Sequence, residues 1–137
     1  MGPRSSLLLL AMLVALAGCG QTQSSASKFT GQKKAVAQKL EDLETAASSH
    51  KPRTICTDIL SRQLADKLKT AGNDCVKTMD KITGDADDYQ LKVTAVTVTG
   101  TTATAKVDTR RGRDEHATVT YQLQREGGEW RLADLGS

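Results

Sequence analysis

The sequence predicts an α+β domain in which about three N-terminal helices pack against a four-stranded antiparallel sheet. Apolar residues recur at the helix period through the first half and alternate at period two through the second. Glycine-bearing turns separate the alternating runs, so neighbouring strands are joined directly and the sheet is a meander. The 137 residues amount to one small domain, and with 26% charged and 38% hydrophobic residues the composition excludes collagen-like, wholly disordered and multi-span membrane chains. A net charge of +3 is too small and too dispersed to argue for nucleic acid.

Val36, Leu40, Leu43 and Ala47 form the apolar stripe of the first helix, with Lys33, Lys34, Lys39, Glu41 and Asp42 on its other side. Ser48-Ser49-His50-Lys51-Pro52 breaks it. Pro52 suits the start of a second helix, where Ile55, Cys56, Ile59 and Leu60 share a face. Leu64 and Leu68 continue that stripe up to Gly72-Asn73. Cys75, Val76, Met79 and Ile82 define a short third helix ending at Gly84.

The period then changes. Leu91 and Val93 alternate in one phase and Val96 and Val98 in the other, which predicts a β-bulge near Thr94-Ala95. A turn at Thr99-Gly100-Thr101 leads to Ala103, Ala105 and Val107. The tip Arg110-Arg111-Gly112-Arg113 precedes Ala117, Val119, Tyr121 and Leu123, and a Gly127-Gly128 hairpin turn precedes Trp130 and Leu132.

The amino terminus carries an address. Arg4 supplies a positive charge and Leu7 to Ala17 an unbroken apolar run, well short of the ~20 residues that span a bilayer as a helix. Leu16-Ala17-Gly18-Cys19 follows and resembles the lipobox of bacterial lipoproteins. That resemblance implies a signal peptide over 1–18 and a lipid-modified Cys19 that becomes the first residue of the mature chain. It places the protein at the cell membrane, lipid-anchored on the extracytoplasmic side, where stable anchoring takes more than one acyl chain. An ordinary secretory signal containing a cysteine is the alternative. From Gly20 to about Gly31 the chain turns to Gln, Ser, Thr and Ala, with Phe29 its single large apolar residue. This composition predicts a flexible tether over 19–32 and a folded domain over 33–137.

With Cys19 acylated, Cys56 and Cys75 remain. An even pair in an extracytoplasmic domain reads as a disulfide. Both sit on the apolar faces of their helices, so a bridge would staple the second helix to the third. A metal site or a reactive thiol is the alternative, but there is no Cys-x-x-Cys, and His50 and His116 do not stand at ligand spacing to either cysteine.

The folded part resembles the short secreted members of the nuclear transport factor 2-like (cystatin-like) superfamily found in high-GC Gram-positive bacteria. The resemblance rests on Ala35-Val36…Leu40…Leu43, on Ile55-Cys56-Thr57-Asp58-Ile59-Leu60 with Cys75 beyond it, and on Tyr89 to Val98 leading into Ala103 to Val107. The closing Gly127-Gly128-Glu129-Trp130-Arg131-Leu132-Ala133-Asp134-Leu135-Gly136 is its most specific part. It spans about residues 33–136 and implies a cone: a strongly curved sheet wrapped around helices, with a pocket at the mouth. Larger members have extra strands that this chain lacks, and the fold hosts enzymes and binding modules alike.

Tyr121, Trp130 and Tyr89 are the candidate pocket residues. Tyr121 shares its phase with Val119 and Leu123 and so points inward. An isomerase or dehydratase would need a carboxylate or histidine base beside such a tyrosine. Asp58 is better read as a helix-surface acid, and His50 and His116 occupy a loop and a strand start. No triad, zinc spacing or phosphate loop is present, so no catalytic residue, metal or cofactor is assigned. Asp85, Asp87 and Asp88 lack the glycine and glutamate of a calcium loop and read as a polar link. Arg110, Arg111 and Arg113 are offset by Asp108, Asp114 and Glu115, which reads as a solvated hairpin tip. Thr94, Thr97, Thr99, Thr101, Thr102 and Thr104 suit a water-facing sheet surface, and they also make a candidate face for a homodimer.

The expectation is therefore a non-enzymatic binding or accessory module at the cell envelope. It meets membrane lipid through Cys19 and an envelope protein or a small apolar ligand through its domain. The isomerase or dehydratase is the alternative.

Overall fold

The computed structural model describes residues 24–72, 74–84 and 88–137. The signal peptide expected over 1–18, the acylation expected at Cys19, the first part of the expected tether, and Asp85 and Asp87 lie outside the described residues.

The chain folds as α+β. A four-stranded antiparallel sheet runs β1 (Tyr89–Thr99), β2 (Thr102–Arg111), β3 (Glu115–Glu126) and β4 (Glu129–Leu132), in sequence order and without closure into a barrel. Four α-helices are present among the described residues: α1 (Gly31–Ser48), α2 (Pro52–Thr54), α3 (Arg62–Thr70) and α4 (Cys75–Thr83). The bulge stands where the change of phase puts it, since the β1–β2 register slips between Val93 and Ala95. The slip keeps Leu91, Val93 and Val96 all buried on the helix-facing side. The turn into β4 has positive φ at both Gly127 (58°) and Gly128 (85°), the backbone that a tight two-residue hairpin requires.

Small residues on both surfaces let helix and sheet approach closely. Val36, Ala37, Leu40, Ala46 and Ala47 of α1 meet a sheet face built around Val93, Ala105, Val107 and Leu123, all buried. Trp130 and Leu132 close the far side of the same core.

The second predicted helix is not continuous. After the short α2, Ile55–Ile59 form a π-turn closed by the Leu60 N–H donating to the Ile55 carbonyl at 2.9 Å. Leu60 is extended (ψ 147°), and Ser61 caps a new helix by accepting from the Leu64 N–H at 3.1 Å. The apolar stripe runs unbroken through this region, yet the backbone leaves the helix to pair with the sheet. Leu60 bridges Leu132 in parallel, and the Ser61 N–H donates to the Leu132 carbonyl at 2.8 Å. A buried serine that caps one helix and ends another is the local competitor that hydrophobic periodicity does not register. The wide turn frees carbonyls, and cations take them: the Arg131 guanidinium donates to the Thr57 carbonyl and Lys39 to that of Asp58. The Arg131 Nε is buried without a partner.

The expected tether is docked over its described part. Ser25–Lys28 form a 3₁₀ turn with Ser25 and Ala26 buried. Glu41, expected on the solvent side of α1, accepts from both serine hydroxyls, at 2.8 Å from Ser24 and 3.1 Å from Ser25, and from the Ala26 N–H at 2.9 Å. Polar composition argued against packing, but one carboxylate satisfies enough donors to hold the segment down.

The free edge of β1 is also covered from this side. The Leu91 N–H donates to Glu44 at 3.0 Å and the Val93 N–H to the Ser25 hydroxyl at 3.2 Å.

Candidate functional site

A cleft of about 160 Å³ opens between α1, α4 and the end of the sheet where β1 begins and β2 ends. Its walls are apolar: Leu43 and Ala47 from α1, Ile55 and Leu60 from the π-turn segment, Met79 from α4 and Leu132 from β4. Ile82 and Leu135 flank the mouth and are 47% and 41% exposed, a level of exposure that large apolar side chains in this domain otherwise avoid.

The polar groups are few. Tyr89 and Tyr121 line the cleft with their hydroxyls 3.2 Å apart, bonded to each other. In such a pair one phenol donates and the other accepts, so one O–H hydrogen is left to offer a ligand. Tyr121 is buried as its strand phase predicts. Burial, first, and the bond to Tyr89, second, hold its hydroxyl protonated far above the usual phenol range. Its ring is held by the C-terminal segment. Gly136 has φ 86° and lies so close that a Cβ there would stand 2.5 Å from Val119 Cγ1 and 3.0 Å from Tyr121 Cε1. Asp134 fixes that segment by accepting from the Gln122 and Gly136 N–H groups, both at 3.1 Å.

Thr83 also lines the cleft, with its hydroxyl donated to the Met79 carbonyl at 2.7 Å, and the one cationic wall group is Arg111, which is exposed as the hairpin-tip reading expects and borders the cleft as well. It is the direct partner of Tyr89 in the β1–β2 register, so the two side chains leave the same face of the sheet. The phase of β2 contained this information, because Arg111 continues the alternation of Ala103, Ala105 and Val107.

Trp130 does not line the cleft. It is buried, donates from Nε1 to Gln32 Oε1 at 2.9 Å, and lies under the Arg125 guanidinium, 5.6 Å from the ring centre. Asp58, His50 and His116 are exposed and stand apart from the cleft lining. Among the described residues that line the cleft there is neither a carboxylate nor an imidazole.

Cys56 and Cys75 form a disulfide that joins the π-turn to the start of α4. The bridge therefore braces two of the cleft's walls, since Ile55 precedes Cys56 and α4 carries Met79, Ile82 and Thr83. No group of three or more potential metal ligands occurs among the described residues, and no described helix is long and apolar enough to cross a membrane. The threonine set is exposed along the strands, and Thr97, Thr99, Thr102 and Thr104 line a second depression of about 250 Å³ at the opposite end of the sheet.

No known protein-family model matches the chain, and no curated protein is recognisably similar to it.

Proposed function

We propose that the chain is a lipid-anchored, extracytoplasmic binding module, a cone-type domain of the nuclear transport factor 2-like kind that holds a small apolar ligand in the cleft between its helices and its sheet. The cleft carries this reading: it is apolar, partly open, and furnished with a hydroxyl pair and one guanidinium rather than with an acid and a base. The isomerase or dehydratase alternative calls for a proton acceptor at the cleft, and the described lining residues offer none that titrates near neutrality. Tyr121 is held protonated, which suits a hydrogen-bond donor and not a base. The Leu16-Ala17-Gly18-Cys19 sequence supports the anchor, and a disulfide between Cys56 and Cys75 suits an oxidising compartment.

The chain has two tyrosines, and both are in the cleft. Ring-labelled ¹³C-tyrosine resonances of the full chain in lipid nanodiscs therefore report on the cleft alone. Titration with neutral benzyl alcohol is expected to shift both rings saturably, and Ala47→Leu, which fills the cleft from α1, to abolish the shifts. Rings that stay unmoved in the unsubstituted chain would contradict a small-ligand site.

A further inference from the structure

We propose that the cleft is selective for a small organic acid, with one ring or a chain of about six carbons inside and its carboxylate at the mouth against Arg111. This rests on the reading of the cleft as a small-ligand site and adds the class of ligand.

Size sets the first limit. An apolar protein cavity of about 150 Å³ holds one benzene, and this cleft measures about 160 Å³. A long acyl chain, a sterol or a peptide helix would leave most of its apolar surface outside it. Polarity sets the second. The interior is mostly aliphatic; the Thr83 hydroxyl is already donated to the Met79 carbonyl, which leaves the phenol pair and Arg111 as hydrogen-bond donors for a ligand, so the ligand has one apolar body and one polar end.

Charge decides the nature of that end. Among the described residues the Arg111 guanidinium makes no hydrogen bond and no ion pair, whereas its neighbour Arg110 donates from Nε to the Gly112 carbonyl at 3.1 Å. Glu115 is the register partner of Arg111 on β3 but forms no ion pair with it, and it is not part of the lining. A planar guanidinium with its donors uncommitted, set beside a phenol donor, matches a carboxylate better than any neutral head group. Ile82 and Leu135, exposed at the mouth, would be covered by the bound molecule.

The test uses the same ¹³C-tyrosine chain in nanodiscs of zwitterionic lipid, with sodium benzoate and benzyl alcohol as paired probes at matched ionic strength. Benzoate is expected to bind about fivefold more tightly, the scale of one partly solvated charge pair. Arg111→Gln should erase that difference, and Glu115→Gln should strengthen benzoate while leaving benzyl alcohol unchanged. If benzyl alcohol binds as tightly as benzoate, or Arg111→Gln leaves benzoate unaffected, the acid class is wrong and the small-ligand cleft survives. If neither probe moves the tyrosine rings, the cleft reading itself fails and takes this inference with it.

Discussion

Reduction of the Cys56–Cys75 bridge is the perturbation whose cost follows most directly from the structure. The cysteines are 19 residues apart in sequence. In the chain-entropy model a closed loop of this length removes about 11 cal/mol/K from the unfolded chain, or about 3.3 kcal/mol at 25 °C. The loop it closes is anchored mainly at its start, where Ile59 and Leu60 are buried, Ser61 is bonded to β4 and the Arg62 N–H donates to Glu126, while α3 itself contributes one buried apolar residue, Leu64. For a domain of this size a urea m-value of about 1.5 kcal/mol/M turns the cost into a midpoint about 2 M lower. The assay is urea unfolding followed by circular dichroism, for the oxidised chain, the chain reduced with a phosphine, and a Cys56→Ala/Cys75→Ala variant. The m-value should rise on reduction, because an uncrosslinked unfolded chain exposes more surface. A midpoint for the reduced chain within about 0.3 M of the oxidised one would mean that loop entropy is not what the bridge supplies.

Glu41→Ala should release the 3₁₀ turn at Ser25–Lys28 and leave the buried Ala26 N–H without its acceptor, at about 1–3 kcal/mol; amide exchange at Ala26 and a thermal melt measure both effects. Glu44 has its carboxyl raised above 4.5, by burial first and by Glu41, against the Leu91 N–H that favours the ionised form. Its contribution to stability is thus full below pH 4.5 and is lost as pH climbs through the raised value, so Glu44→Gln should flatten that part of the stability profile and leave pH 7 stability equal or higher in a pH series of urea titrations. Gly136→Ala meets both a left-handed backbone and a Cβ 2.5 Å from Val119, so a loss of about 2 kcal/mol is expected in chemical unfolding, with displaced Tyr121 ring resonances.

The parts of the fold that were legible in the sequence are those where one pattern acts alone. The alternation slip between Val93 and Val96 fixed the bulge, the paired glycines fixed the last hairpin, and the phase of Val119 and Leu123 turned Tyr121 inward. Periodicity failed where polar groups overrode it. Ser61 ended a helix that its apolar stripe would have carried to Gly72, because its hydroxyl and N–H serve α3 and β4 at once. Glu41 looked like a solvated helix acid and instead accepts the Ala26 N–H, and Glu44 accepts that of Leu91, contacts that no local window contains. Part of the cleft was readable for the same reason. Tyr121 followed from strand phase, while the place of Trp130 depended on Gln32 and Arg125, and Arg111 is exposed as a hairpin tip should be but also lines the cleft, which its alternation with Ala103, Ala105 and Val107 and not its charge indicates.

Whether this is an anchored, oxidised envelope domain is decided by the intact mass of the chain purified from the membranes of the cells that make it. The expected product is a mature chain that begins at Cys19, carries a lipid adduct absent from the Cys19→Ala form, and shows no free thiol at Cys56 or Cys75 before reduction. An unmodified Cys19, or a free thiol pair at 56 and 75, would contradict it.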